Sequence, residues 1–352
     1  MVRPVEHGWP AYPHNPDGTY GGESAAAYGV YGAPLPPTNG SSVAPETAGL
    51  DTTDATDEQS TGVVLIDSVL DFGTGEAAGT GMVMDGENGI VVTNHHLVEG
   101  ATSIEVTIAT TGQTYTATLL GADATHDIAV LELTDAPALD EVTLDTDALE
   151  VRDQITAVGD AGGDGGTLTA ATGTITDTRA PVTVTDDDGT QTTIRGLIEV
   201  DADIIAGDSG GALLDADGDV IGMNVAASSG TTDITGYAIP VARVLRVASA
   251  VLAGDGSATI DLGYDAFLGI ALSTRDTDPA TATKVLEGGA ADAGLPAGDT
   301  ITALDGHAIE SAGALRRWLA RYNAGDTISL SWTDDAGESD GADATLGRAP
   351  IA

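Results

Sequence analysis

From about residue 61 the chain is a succession of short Val, Ile, Leu and Thr runs broken by Gly and Asp, among them Val63-Val64-Leu65-Ile66, Ile90-Val91-Val92-Thr93 and Ile128-Ala129-Val130-Leu131. Turn residues recurring roughly every ten positions between such runs predict antiparallel strands in a barrel or sandwich. The pattern continues through Ile155-Thr156-Ala157-Val158, Leu197-Ile198-Glu199-Val200, Ala212-Leu213-Leu214 and Val220-Ile221-Gly222-Met223, enough strands for two small barrels. Val241, Val244, Leu245 and Val247 then fall at helical spacing, so residues 240–252 read as a closing helix. Gly254-Asp255-Gly256-Ser257 opens a linker over 254–262. Beyond it, strands at 270–272, 283–286, 301–304 and 328–332 surround one helix over 314–322, a small α+β unit with its own core.

Residues 1–60 lack apolar periodicity and hold Pro4, Pro10, Pro13, Pro16, Pro34, Pro36 and Pro37, which predicts a disordered tail. The tail carries no charged-then-apolar targeting segment. Charge narrows the classes of partner. With 12 Lys+Arg against 55 Asp+Glu the formal charge is −43, which disfavours a phosphate backbone or an anionic membrane surface. No apolar run approaches the ~20 residues of a spanning helix. The acids crowd turns such as Asp186-Asp187-Asp188 and read as a solubility device. The absence of Cys removes disulfides, thiolate metal sites and a cysteine nucleophile.

The sharpest chemical signal is Gly207-Asp208-Ser209-Gly210-Gly211. A serine hydroxyl attacks only when a base takes its proton and amide donors hold the resulting oxyanion. Flanking glycines let the Gly207 and Ser209 amides converge on one point. The same five residues could be an α/β-hydrolase elbow, but an elbow needs a following helix and a later histidine. Here a hairpin follows, through Asp215-Ala216-Asp217-Gly218-Asp219, whose acids lack the ligand spacing of a calcium loop. A base must therefore come from upstream, where Thr93-Asn94-His95-His96 follows a strand. Adjacent histidines project in different directions, so one of them serves the site and a paired metal site is disfavoured. Asp127, opening the apolar run 128–131, is the best placed acid to orient it.

With these motifs in order, the chain resembles the HtrA/Deg family of trypsin-like, PDZ-containing serine proteases, its exported actinobacterial members most closely. The matching stretches are Gly79-Thr80-Gly81-Met82-Val83, Thr93-Asn94-His95-His96-Leu97-Val98, Asp127-Ile128-Ala129-Val130-Leu131, Val158-Gly159-Asp160-Ala161-Gly162, Gly207-Asp208-Ser209-Gly210-Gly211 and Gly236-Tyr237-Ala238-Ile239-Pro240. The resemblance implies a mainly β, two-barrel chymotrypsin-like domain over 61–253 and an α+β PDZ domain over 263–348. It puts the base on His96, with Asp127 and Ser209 completing the triad, and implies a serine endopeptidase acting on unfolded or damaged proteins with no cofactor or metal. It further implies polypeptide partners, protein C-termini bound through Phe267, Leu268, Gly269 and Ile270, a homo-oligomer such as a trimer, and an extracellular or envelope location. The rival class is a PDZ scaffold or chaperone with an inactive protease unit.

Asp208 stands where most of the family has Asn, as trypsin has Asp; in trypsin that acid pairs with an N-terminal amine freed by cleavage. Cleavage near Val63-Val64-Leu65-Ile66 is the corresponding zymogen reading, against one in which Asp208 accepts nearby backbone amides. Asp203 lies at the offset of trypsin's basic-specificity acid, whereas the opposing wall, Asn224-Val225-Ala226-Ala227-Ser228, is small and weakly polar. The expected preference is for cleavage after small or medium aliphatic residues. Arg316, Arg317 and Arg321 on the last helix either balance acidic charge or steer anionic C-termini.

Overall fold

The computed structural model of the chain describes residues 52–70, 73, 75–163, 165–185, 191–225, 235–286 and 288–351. The first barrel is formed by β2 (Val63–Leu70), β3 (Gly75–Asp85), β4 (Ile90–Thr93), β5 (Ala101–Ile108), β6 (Thr114–Asp123) and β7 (Ile128–Leu133), after a short β1 (Thr52–Asp54). The second follows in β8 (Gln154–Gly159), β9 (Thr169–Thr185), β10 (Gln191–Val200), β11 (Ala212–Leu214), β12 (Val220–Val225) and β13 (Gly236–Pro240). Sheet order β14-β6-β5-β2-β3-β4-β7, closed by β6–β7, makes one barrel, where β14 is Asp261–Leu262. Order β1-β9-β10-β13-β12-β11-β8, closed by β9–β8, makes the other.

These strands read as apolar runs because both of their faces are buried. Val63, Leu65, Ile90, Val92, Ile128 and Val130 face a core shared between the barrels, together with Val158, Ala212 and Met223 of the second barrel. The alternate residues Val64, Ile66, Val91, Ala129 and Leu131 fill the inside of the first barrel. The period of two survives as a choice between two cores. Helix α1 (Val241–Leu252) lays Val241, Val244, Val247, Ala248 and Val251 on the shared core. It ends in a Schellman turn: Asp255 N–H donates to Ala250 O, Gly254 N–H to Val251 O, and Gly254 takes φ 72°.

The C-terminal module contains β15 (Ala266–Phe267), β16 (Ile270–Ala271), β17 (Lys284–Val285), α2 (Gly289–Asp292), β18 (Thr300–Leu304), β19 (His307–Ala308), α3 (Ala312–Leu319), β20 (Thr327–Thr333), β21 (Ser339–Thr345) and β22 (Gly347–Arg348). Ile301, Leu304, Leu315, Ile328, Leu330 and Trp332 form its separate core.

Three boundaries differ from the sequence expectation. Of the tail expected over 1–60, residues 1–51 lie outside the described part, but β1 pairs with β9 and Ala55 N–H donates to Leu168 O. Backbone bonds hold that short polar strand, so hydropathy gives no sign of it. The expected linker 254–262 likewise ends in β14, which pairs with Gly121 and Ala122 of β6. Gly121 permits this approach, since a Cβ there would lie 2.7 Å from Asp261 O. The last helix begins at Ala312, earlier than expected, because Ser311 caps it by accepting from Ala314 N–H at 3.2 Å.

Candidate active site

His96 lies in a single turn of 3-10 helix, His95–Leu97, at the end of β4. Its Nδ1 is 2.9 Å from Asp127 Oδ2 and 3.1 Å from Oδ1, and its backbone N–H donates to the same Oδ1 at 2.9 Å. One carboxylate thus fixes both the main chain and the ring. With Nδ1 donating to Asp127, the lone pair is left on Nε2, the nitrogen a general base requires. The His96 side chain is 44% exposed and that of Asp127 9%. His95 is buried, so the turn gives the cleft one histidine.

Asp127 adopts φ 57°, a left-handed conformation costly for a side chain with Cβ. Its carbonyl accepts from Asn94 Nδ2 at 3.0 Å, and Asn94 is fully buried. Asn94 therefore pins the backbone that aims the carboxylate, a positioning role that its plain turn chemistry conceals in the sequence.

Ser209 belongs to the loop joining β10 to β11 and is buried. Its glycines are demanded by contact. A Cβ on Gly207, at φ 98°, would meet Asp160 O at 2.0 Å, and one on Gly210, at φ 84°, would meet Thr80 O at 2.0 Å. Thr80 joins the loop to the first barrel: its Oγ1 donates to Gly207 O and accepts from Asp160 N–H, while its N–H donates to Ser209 O. Thr80 O in turn accepts from Thr93 Oγ1 at 2.6 Å, on the strand that ends at the histidine turn. The serine loop and the His96 turn are thus carried on one buried chain of hydrogen bonds.

Ala206 O accepts from Gly162 N–H at 2.8 Å. All described peptide bonds are trans, so the Gly207 N–H points the opposite way, away from that donor.

Asp208 behaves differently from Asp127. It is buried, its Oδ2 accepts from Ile205 N–H at 2.9 Å, and its Oδ1 is buried with no partner. Burial pushes its carboxyl up to about 7, the Ile205 amide opposes that, and nearby Asp160 adds to it. The zymogen reading finds no mechanical support: Val63, Val64, Leu65 and Ile66 are buried mid-barrel, paired with β3 on one side and β5 on the other. A cut there would open the barrel.

Among the specificity candidates, Asp203 is half-buried on the loop before Gly207, Val225 is buried in the shared core, and Ala226 and Ala227 lie outside the described residues. Asn224, read from sequence as part of the same wall, is fully buried. Its Nδ2 donates to Val158 O and Ala212 O, so it braces the serine loop's neighbours. Among the described residues no cluster of His, Asp and Glu could hold a metal.

In the second module, Leu268 is buried in the core, Phe267 and Ile270 are half-buried, and Gly269 takes φ 83° between them. Ile270 pairs with Val285, and Gly269 O accepts from Leu286 N–H. Helix α3 packs near the chain after β16: Arg316 donates to Asp276 Oδ1 at 2.7 Å and to Ser273 O. Arg321 sits 4.5 Å over the Trp318 ring, and Arg317 is exposed.

Comparison with known proteins agrees with this division. Residues 79–223 match the trypsin-like peptidase domain and residues 258–331 the PDZ domain. Serine protease PepD of Mycobacterium tuberculosis is 31% identical over 94% of this chain and 75% of its own length. Serine protease Do-like HtrA of Lactococcus lactis is 32% identical over 78% of this chain and 71% of its own. Periplasmic serine endoprotease DegP of Escherichia coli K12 is 32% identical over 74% of this chain and 55% of its own. With its two-barrel peptidase domain followed by a PDZ domain, the chain belongs to the HtrA family of serine endopeptidases.

Proposed function

We propose that this protease hydrolyses unfolded or damaged polypeptides with His96, Asp127 and Ser209 as its triad. The observation that carries the reading is the Asp127 carboxylate, which takes both the backbone N–H and Nδ1 of His96 and leaves Nε2 for the serine. Ser209 Oγ attacks the scissile carbonyl as His96 Nε2 takes its proton. The amide N–H groups of Gly207 and Ser209 hold the oxyanion. His96 then gives the proton to the leaving amine, and water repeats the sequence on the acyl-enzyme. The Asp127 carboxylate stabilises the imidazolium through Nδ1.

The PDZ loop Phe267-Leu268-Gly269-Ile270 captures substrate C-termini, with β16 adding the peptide as a strand beside α3. The aliphatic preference at the cleaved residue, the homo-oligomeric state and an envelope or extracellular location are part of the same proposal. Among the described residues no helix is long and apolar enough to cross a membrane. The test is hydrolysis of a casein-like unfolded substrate: Ser209→Ala and His96→Ala each lose roughly 10⁴–10⁶ in kcat with the fold intact, while His95→Ala is mild. A dead His95→Ala beside an active His96→Ala would move the base to the wrong turn residue for this account.

A further inference from the structure

The chain after β22 returns to the first barrel. Gly347 and Arg348 pair with Phe267 and Ala266, and Ala349 N–H donates to Asp265 O, so this segment leaves directly from the PDZ carboxylate loop. Arg348 lies 5.0 Å over the Tyr264 ring, and Tyr264 OH accepts from Leu119 N–H of the first barrel. Two residues past Ala349, Ile351 is 5% exposed and joins the interior cluster of that barrel with Val98, Ala101 and Ile104. Its carbonyl accepts from Gly100 N–H at 2.6 Å, and its own N–H donates to Ala101 O at 3.4 Å.

Gly100 and Ala101 close the turn that carries His96. Val98 N–H and Glu99 N–H both donate to His95 O, Ala101 N–H donates to Val98 O, and Gly100 is left-handed at φ 75°. The Gly100 amide is thus a donor that the turn does not satisfy itself, and Ile351 supplies its acceptor together with an apolar plug. A single buried side chain and a pair of main-chain bonds thereby fasten the end of the histidine turn.

We propose that residues 349–351 form a strap in which Ile351 positions the His96 turn and fastens the PDZ module to the catalytic barrel. Ile351 does not touch substrate; it acts through Gly100 and Ala101 on the backbone that presents the imidazole. The proposal rests on His96 being the general base. It also gives the PDZ module a part in the chemistry of substrates too short to reach its groove.

The full-length chain tests this with Ile351→Asp, Ile351→Ala and Ile351→Val. Two readouts are used: kinetics on a short fluorogenic peptide confined to the cleft, and amide hydrogen exchange. With Ile351→Asp, kcat should fall about ten- to a hundredfold with KM little changed, as expected of a misplaced catalytic group. Exchange at residues 96–101 should rise while the strands β18 and β20 keep their protection. Ile351→Val should restore both. Should Ile351→Asp fail to fold, Ile351→Ala carries the same reading at smaller amplitude. Unchanged kcat overturns the proposal whether or not exchange rises, and so does a uniform rise across both modules. Failure of the His96 assignment itself would show separately, as an active His96→Ala, with the exchange readout still reporting on the strap.

Discussion

Asp127 and Asp208 are both buried aspartates, one bonded to His96 and the other next to Ser209 in the chain, and their surroundings differ. Asp127 has donors for both oxygens, from the His96 main chain and ring, and its backbone is tied by Asn94. Asp208 has one donor, Ile205 N–H, a bare second oxygen, and another acid nearby in Asp160. A buried carboxylate is tolerable as a charge when its lone pairs are met, and it retains its proton when they are not. Identical side chains thus take different parts: one holds the His96 main chain and ring, and the other, its carboxyl pushed up to about 7 by burial, supports the serine loop.

The comparison breaks most visibly at Asp127. Replacing it by Asn keeps shape and burial but removes the charge and lets the wrong ring nitrogen donate. We expect Asp127→Asn to lower kcat by roughly 10⁴ with KM little affected, read on a short peptide substrate. A loss below tenfold would mean that the carboxylate does not set the tautomer.

Asp208 gives an effect of intermediate size that depends on pH. Its carboxyl ordinarily titrates at 3.8 and in the folded chain near 7, so between those values the folded state binds more protons than the unfolded chain. Stability from this group is complete below pH 3.8 and is lost as pH rises through 7. Asp208→Asn keeps an acceptor for Ile205 and cannot ionise. It should stabilise the protein by roughly 1–3 kcal/mol at pH 8 and hardly at all at low pH. Thermal unfolding across that range checks this, and parallel curves for the two proteins would remove the asymmetry between the acids.

The smallest change is expected at Asp203, half-buried on the loop before Gly207. If the cleft prefers aliphatic residues, Asp203→Ala leaves the cleavage profile of a peptide library nearly unchanged. An Arg or Lys preference in the wild type that vanishes in the variant would instead assign Asp203 a substrate charge to bind.

The parts of this molecule legible in the sequence are those in which a residue type is forced by local geometry. Gly207 and Gly210 had to be glycine against Asp160 O and Thr80 O, so the serine loop announces itself. Runs such as Val63-Val64-Leu65-Ile66 announce strands, though their lack of alternation hides that one face serves the barrel interior and the other the shared core. Thr80, Asn94 and Asn224 escape notice as positioning residues because a buried hydroxyl or amide looks like any turn or strand residue until its long-range partners are known. β1 and β14 escape for a related reason: they are only three and two residues long and are held by the backbone of strands far away in the chain. Ile351 is one apolar residue after a proline, and nothing local points to the barrel it enters.

The central claim, that His96 activates Ser209 under the control of Asp127, is tested most directly by labelling the folded enzyme with a fluorophosphonate and mapping the adduct by mass spectrometry. The account predicts one adduct, on Ser209, formed far more slowly in His96→Ala and Asp127→Asn than in the wild type and at nearly the wild-type rate in His95→Ala. An unlabelled Ser209 in fully folded protein, or labelling indifferent to His96, would contradict it.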